Sequence, residues 1–380
     1  MFREWLVFLL FVFFLCGGVF PAEASQPLYT SAESAILMDA VTGTILYAKN
    51  AHIMRPMAST TKIATAILAL EIGDLKDRVR IGPKAAGKDG SSMYLRRDEL
   101  VNFKELLYGI MLNSGNDACV AVAEHLCGSE EAFVDRMNKL AAKIGARRTR
   151  FANTSGLPAA DHYSTAYDLA LLTRYAIKNP FFRELAATKY HYAPATNKMQ
   201  TRYMCNHNRL LWRYKFADGV KTGYTREAGK CLVASGTKDG QTLIAVALNS
   251  SDMYGDTSRM LDYGFSNYYL YKPWKLGKPL AYIKISGRKK APLVASREIN
   301  LLLPSAWPRK KLHIRLRCPR RFVLPFLTLQ KKGWVEVYYT NRLLARVPLV
   351  ALNDSPSRRN ANVKVKALKH KKDFSDENGI

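Results

Sequence analysis

Apolar positions change period twice along the chain. Between Ala35 and Asn50, the runs Ile36-Leu37-Met38 and Ile45-Leu46-Tyr47 flank Thr42-Gly43, which predicts a hairpin. From Ser59 the spacing turns helical, with Ile63, Ala66, Ile67 and Leu70 on one stripe. Asn102 and Glu105 are placed to cap a helix carrying Leu106, Leu107, Ile110 and Met111. That helix runs into the turn-prone string Asn113-Ser114-Gly115-Asn116, and Ala118 to Leu126 resumes the helical pattern. The clearest helix spans Ser129 to Ile144: a Ser cap, two acids in the first turn, Phe133, Met137, Leu140 and Ile144 on one face, and Gly145 at the stop. Another begins near Thr165 and ends before Asn179-Pro180. The period then returns to strands at Val220 to Thr225, Cys231 to Gly236 and Thr242 to Leu248, with Asp239-Gly240 as a hairpin turn. A helix around Ser258 to Phe265 follows. Strands at both ends of a unit with helices between them predict an α/β chain of the α+β kind, its two strand sets joined in one sheet.

The ends of the chain read differently. Trp5 to Leu15 is an apolar run after Arg3, broken by Gly17, Gly18 and Pro21 and followed by Ala22-Glu23-Ala24. It is shorter than the roughly 20 apolar residues that span a bilayer, so residues 1–24 are expected to be an export signal cleaved after Ala24. Residues 271–350 hold 19 Lys or Arg against two acids, Glu298 and Glu336, among short β-rich runs. A catalytic unit over 25–270, a basic all-β domain over 271–353 and a polar, Lys-rich, unstructured tail over 354–380 are the expected divisions.

Composition narrows the classes. Sixteen Phe, 20 Tyr and 5 Trp supply enough apolar surface for a core and exclude general disorder. Lys plus Arg is 58 against 31 acids, a net charge of +27. Such charge alone would admit nucleic acid as a partner, but an export signal removes the chain from it. Removing Cys16 with the export signal leaves Cys119, Cys127, Cys205, Cys231 and Cys318, an odd set without a CxxC pair. The first two lie about 12 Å apart along one helix, beyond the roughly 7 Å that a disulfide spans. Buried free thiols are expected.

Three short strings carry chemistry. Ser59-Thr60-Thr61-Lys62 opens a helix, where residues three apart share a face, so the Lys62 amine can reach the Ser59 hydroxyl. A serine becomes a useful nucleophile when a neighbouring base takes its proton, and a lysine can be that base if burial lowers its pKa. Free N–H groups at a helix start suit a developing oxyanion. Ser-x-x-Lys also arises by chance on surface helices. Ser114-Gly115-Asn116 lies in a turn between helices, where Asn116 could equally be a cap. Lys221-Thr222-Gly223 lies on a strand, where Lys and Thr suit a carboxylate and Gly admits a close backbone, or where the string is an ordinary strand end. No Gly-x-Ser-x-Gly elbow is present.

Together, in this order and in these settings, the strings resemble the Ser-x-x-Lys, Ser-x-Asn and Lys-Thr-Gly set of penicillin-binding proteins and class A β-lactamases. Pro56-Met57-Ala58, Gly90-Ser91-Ser92-Met93, Phe151 to Leu157, Ser164 to Leu169 and Tyr263-Gly264-Phe265 extend a similarity to D-alanyl-D-alanine carboxypeptidases, the low-molecular-mass penicillin-binding proteins. The resemblance implies an antiparallel sheet flanked by helices, with an inserted helical subdomain and a small all-β C-terminal domain. It implies Ser59 as acylated nucleophile, Lys62 as general base, Ser114 as proton relay and Asn116 as orienting residue. Lys221 and Thr222 would hold the substrate carboxylate, and Gly223 would leave room for the backbone of the substrate. The N–H groups of Ser59 and Tyr224 would form the oxyanion hole. No cofactor or metal is implied. The implied partners are peptidoglycan stem peptides ending in D-Ala-D-Ala, β-lactams as inhibitors, and an anionic membrane or wall polymer held electrostatically. Met253 stands where some members carry an Arg. A β-lactamase is the nearest alternative, but residues 153–164 contain Asp161 and no Glu. A non-catalytic wall-binding protein is the other alternative.

Overall fold

Strand β1 (Ser34–Asp39) is buried on both faces, and that dictates what surrounds it. In this computed structural model, which describes residues 28–284, 290–318, 331–351 and 365–366, Ile36 and Met38 enter one core and Ala35 and Leu37 another. β1 pairs with β2 (Ile45–Lys49) through the Thr42-Gly43 turn, where Gly43 has a φ of 77°. A 3₁₀ turn, Ala58–Thr61, leads into α1 (Lys62–Ile72). Then come the short pair β3 (Arg78–Arg80) and β4 (Leu100–Asn102), followed by α2 (Phe103–Met111), α3 (Asn116–Cys127), α4 (Glu130–Ile144), α5 (Ala166–Ala176) and α6 (Pro180–Ala187). A two-stranded ribbon, β5 (Tyr190–Ala193) with β6 (Arg202–Cys205), and the single turn α7 (Leu210–Arg213) return the chain to the sheet.

There β7 (Ala217–Thr225), β8 (Gly229–Lys238) and β9 (Gln241–Leu248) complete an antiparallel sheet of order β2-β1-β9-β8-β7. Ile244, Val246 and Leu248 face the core shared with the helical block, including Ile63, Ile110, Phe133 and Leu169. Leu243, Ala245 and Ala247 face Met260 and Leu261 of α8 (Met253–Asn267). The two strand sets therefore do share one sheet, with helices on both sides.

Local signals were read correctly where a side chain caps a backbone. The Ser129 hydroxyl accepts from the Ala132 N–H at 3.1 Å, Thr165 accepts from Asp168 N–H at 3.0 Å, and Gly145 ends α4 with a φ of 92°. The capping box at Asn102 does not form. Asn102 occupies the N-cap without a side-chain hydrogen bond, and the Glu105 carboxylate meets His191 Nε2 at 2.6 Å instead, because β5 brings an imidazole within reach.

β10 (Tyr268–Tyr271) leaves α8 directly. β11 (Ala281–Lys284), β12 (Lys290–Ala295) and β13 (Leu301–Pro304) follow, with β13 paired to β10. β14 (Leu312–Arg317), β15 (Lys331–Tyr339), β16 (Arg342–Ala351) and β17 (Val365–Lys366) complete a second sheet of order β14-β15-β16-β12-β11-β17. Its core gathers Trp274, Leu293, Val335, Val337, Val347 and Leu349. Glu336 is fully buried there, accepting from Arg317 at 2.9 Å, Arg346 at 2.8 Å and the Tyr338 hydroxyl at 2.9 Å. The expectation of an unstructured tail needs correcting at one point: Val365 and Lys366 pair with Ile283 and Tyr282 of β11, adding an edge strand. The export signal at 1–24 and the remainder of 354–380 lie outside the described residues.

The N-terminal end of β1 is tied down by one buried carboxylate. Asp256 of α8 accepts from Ser31 N–H (2.9 Å), Ser31 Oγ (2.8 Å), Ala32 N–H (2.9 Å) and Ser250 Oγ (2.7 Å), and also pairs with Arg259. Burial alone would raise its pKa, but these donors hold it below the ordinary value. Asp256→Ala is expected to cost about 3 kcal/mol by leaving those donors unmet, measured as a lower urea midpoint with unchanged slope. A loss within about 0.5 kcal/mol would contradict this role.

Candidate active site

The three strings converge. Ser59 sits on the 3₁₀ turn and Lys62 one step into α1, so the i, i+3 relation brings Lys62 Nζ to 3.0 Å from Ser59 Oγ. The Lys62 side chain is completely buried. Its amine also donates to Asn116 Oδ1 at 2.8 Å and to the Ser155 carbonyl at 2.7 Å. Both of these are carbonyl oxygens and can only accept. Once the amine loses a proton, its two remaining hydrogens satisfy them, and its lone pair is left facing the one partner able to donate, Ser59. Burial, the dominant cause, lowers the Lys62 pKa to about 8, with Cys119 and Asp117 opposing.

Asn116 opens α3, and Gly115 rather than Asn116 is the N-cap. The Asn116 amide is used for positioning: its Nδ2 donates to Asp89 O at 2.7 Å while its Oδ1 accepts from Lys62. Ser114 has a φ of 58°, and its hydroxyl makes no hydrogen bond to a described residue.

The Lys-Thr-Gly string is on β7. Lys221 is almost wholly buried, and its ammonium donates only to the Thr222 carbonyl at 3.3 Å. Among the described residues no carboxylate pairs with it. Burial first, then repulsion from Lys62, lowers its pKa to about 7. A buried cation without a counter-ion is costly, and a site of this kind is relieved by an incoming anion. Gly223 lies against the nucleophile turn: a Cβ there would stand 2.9 Å from the Ser59 nitrogen and 3.1 Å from Met57 O. Tyr224 is 67% exposed at the rim.

A family model described as D-alanyl-D-alanine carboxypeptidase matches residues 21–252. The chain belongs to the D-alanyl-D-alanine carboxypeptidase family. It is 35% identical over 342 residues to D-alanyl-D-alanine carboxypeptidase DacF of Bacillus subtilis, covering 87% of this chain and 88% of that protein. It is 33% identical over 369 residues to DacD of Escherichia coli, covering 90% and 92%. Among solved structures, penicillin binding protein 5 from Haemophilus influenzae superposes with a TM-score of 0.71 at 29% identity, covering 87% of this chain and 98% of that one. This carboxypeptidase is thus a hydrolase of the serine-peptidase kind.

Several residues of the carboxypeptidase site escaped the sequence reading. The Ser155 carbonyl is backbone, presented by a turn that Asn153 knits: its Oδ1 accepts from Gly156 N–H at 2.7 Å and its Nδ2 donates to Leu157 O at 2.8 Å. Gly156, with a φ of 92°, lies so close to the nucleophile turn that a Cβ would fall 1.9 Å from Ala58 O. Asp117 accepts from Ser92 Oγ at 2.6 Å and Leu95 N–H at 3.0 Å, fixing the 91–95 segment beside Asn116. Cys119 is buried near Lys62, and burial pushes its thiol up to about 12. Of the five thiols among the described residues, all free, only Cys119 and Cys231 are buried; Cys127, Cys205 and Cys318 are half-buried because they sit at element ends. Helix α6 also went unread, since Asn179-Pro180 looks like a stop yet serves as N-cap and N1 of the next helix.

His162 braces the nucleophile turn from behind. Its Nδ1 accepts from Ala152 N–H at 3.0 Å, so Nε2 carries the hydrogen and donates to Thr61 Oγ1 at 2.8 Å, which in turn donates to Ala58 O. Burial lowers its pKa to about 4. The unfolded chain takes up this proton near pH 6.5 and the native one only near 4. Stability is therefore expected to fall as the pH drops from about 6.5 to 4. His162→Gln should flatten that part of the Tm–pH curve. An unchanged slope in the variant would rule His162 out as its source.

Proposed function

We propose that the protein removes the terminal D-alanine from stem peptides ending in D-Ala-D-Ala through an acyl-enzyme on Ser59. The observation that carries this reading is the Lys62 amine, 3.0 Å from Ser59 Oγ and flanked by two acceptors that cannot donate. Lys62 takes the Ser59 proton as Oγ attacks the carbonyl carbon of the penultimate residue. The oxyanion forms against the N–H groups of Ser59 and Tyr224, with Gly223 giving the close backbone approach. Ser114 relays the proton to the amine of the departing D-alanine. Asn116 orients Lys62 and the substrate amide. Lys221 and Thr222 receive the terminal carboxylate, and the buried, counter-ion-free ammonium of Lys221 suits it to that task. Water then opens the ester and restores the Ser59 hydroxyl. A β-lactam acylates the same oxygen but keeps its leaving group tethered.

Asp161 favours a peptidase over a β-lactamase. It is the one acid of 153–164, and its carboxylate accepts from Arg150 Nε at 2.8 Å with half of its surface exposed. Its exposed pairing with Arg150 does not suit it to serve as a deacylating base.

Fluorescent penicillin should label the wild type and leave Ser59→Ala unlabelled, with circular dichroism unchanged. Label on the variant would overturn the assignment. Lys62→Arg should acylate at least 100-fold more slowly, because Arg stays protonated. The wild-type acylation rate should fall as the pH drops below about 8, since protonation removes the lone pair that faces Ser59.

The family's action on peptidoglycan supports a location outside the cell membrane, and the excess of 19 basic residues over two acids in 271–350 supports this basic unit being held against anionic lipid or wall polymer. Among the described residues no helix is long and apolar enough to cross a membrane. Screening acts within about 8 Å at physiological salt and about 3 Å at 1 M. Sedimentation with anionic vesicles or wall fragments at low salt and release in molar NaCl is the expected result. Association that survives molar salt would exclude an electrostatic hold.

A further inference from the structure

The ribbon β5–β6 has one face turned inward and one outward. His191, Ala193, Arg202 and Met204 are half-buried or buried. Tyr190, Tyr192 and Tyr203 point the other way and are 51%, 67% and 53% exposed. Register places Tyr192 opposite Tyr203, with ring centroids 5.1 Å apart. Tyr190 lies 6.0 Å from Tyr203 at an interplanar angle of 18°. Trp212 of α7 extends the row, 5.5 Å from Tyr190, with its Nε1 donating to the Tyr190 hydroxyl at 3.1 Å and Lys189 over its ring. Four exposed rings in contact form a contiguous apolar patch of the kind that marks a binding surface.

The chemistry of the patch is selective. Every ring is Tyr or Trp, flat on its face and polar at its edge, and no aliphatic side chain interrupts the row. A pyranose ring has the complementary build, with an apolar C–H face and hydroxyl or amide groups around its rim.

The position fits as well. β6 runs straight into Asn206-His207-Asn208, where the Asn206 amide donates to Thr188 O at 2.9 Å and the His207 N–H to Leu112 O at 3.2 Å, two residues before Ser114. Beside Tyr203, Arg202 donates to Met93 O at 2.9 Å and to Tyr94 O at 3.1 Å, carbonyls of the segment that Asp117 fixes beside Asn116. A five-residue stem peptide reaches about 17 Å when extended. The ribbon is joined to segments that flank Ser114 and Asn116, so a sugar seated on it would neighbour the peptide it carries.

We infer that the outer face of β5–β6, with Trp212, is a sugar-binding platform that seats the glycan strand carrying the stem peptide. The inference rests on the function proposed above, and its test separates the two. The full-length Ser59→Ala variant, which needs no catalysis, is pelleted with insoluble glycan strands stripped of peptide. The same variant carrying Tyr192→Ser and Tyr203→Ser is compared after its Tm is shown to be unchanged. At least a fivefold loss of binding is expected. In the Ser59-containing enzyme, the two Tyr→Ser changes should lower D-alanine release from uncross-linked glycan-linked pentapeptide at least fivefold, yet alter release from free pentapeptide, and penicillin labelling, less than twofold. Equal pelleting with and without the tyrosines would overturn the platform. So would equal losses on free and glycan-linked peptide, or a loss confined to anionic vesicles, which would make the face a membrane contact. Failure of the wild type to release D-alanine from either peptide would instead strike the proposed function and leave the pelleting result standing.

Discussion

Removing the Lys62 amine from water without a carboxylate beside it would be prohibitive unless every hydrogen on it had an acceptor. The catalytic unit is arranged to meet that condition. One acceptor comes from the nucleophile turn, one from the first residue of α3 and one from the Asn153 turn, three segments far apart in sequence. Each is fixed by its own contacts: the Ser59 turn by Thr61 and His162, Asn116 by Asp89, the Asn153 turn by its own side-chain amide. The same arrangement that makes burial tolerable leaves the amine easy to deprotonate and aimed at Ser59. Stability and chemical competence thus draw on one set of bonds.

The sheet provides the opposing wall. β7 must press its backbone against the nucleophile turn, so Gly223 stands where a side chain would collide, and Gly156 does the same from the other flank. Lys221 is held near Lys62 with no counter-ion among the described residues, and after burial the Lys62 charge lowers its pKa further. Such a charge arrangement is predisposed to an anionic ligand, and it lies in the electrostatics of the interior and not in surface shape.

How far the sequence foretold this depends on where each signal resides. Side chains that act through their own atoms were readable: Ser129, Thr165 and Gly145 as helix ends, Asp239-Gly240 as the β8–β9 turn, and the Ser-x-x-Lys, Ser-x-Asn and Lys-Thr-Gly strings as neighbours. What was not readable acts through tertiary placement. The Ser155 carbonyl has no residue identity to betray it. His162 becomes a brace only because Thr61 and Ala152 flank it, and Glu105 left its expected capping role because His191 arrived from β5. The β5–β6 ribbon was hidden by its brevity, four residues on each side, and the short edge strand at Val365–Lys366 by its polar surroundings. Asn179-Pro180 illustrates a third case, in which one dipeptide both ends a helix and begins the next.

The pairing of β1 with β9 has a consequence for the order of events during synthesis. The first strand finds its central partner some 200 residues later, with Ser34 opposite Leu248 and Asp39 opposite Leu243. Contacts of such separation form late and slowly, because the chain between them must first be gathered in. A growing chain that carries Ser59 and Lys62 therefore has no sheet for its helices to pack on, and Lys221 has yet to appear. The nucleophile can neither be pressed against Gly223 nor face a cationic wall until almost the whole catalytic unit has emerged. A partly made chain therefore holds Ser59 and Lys62 without the sheet that completes their surroundings.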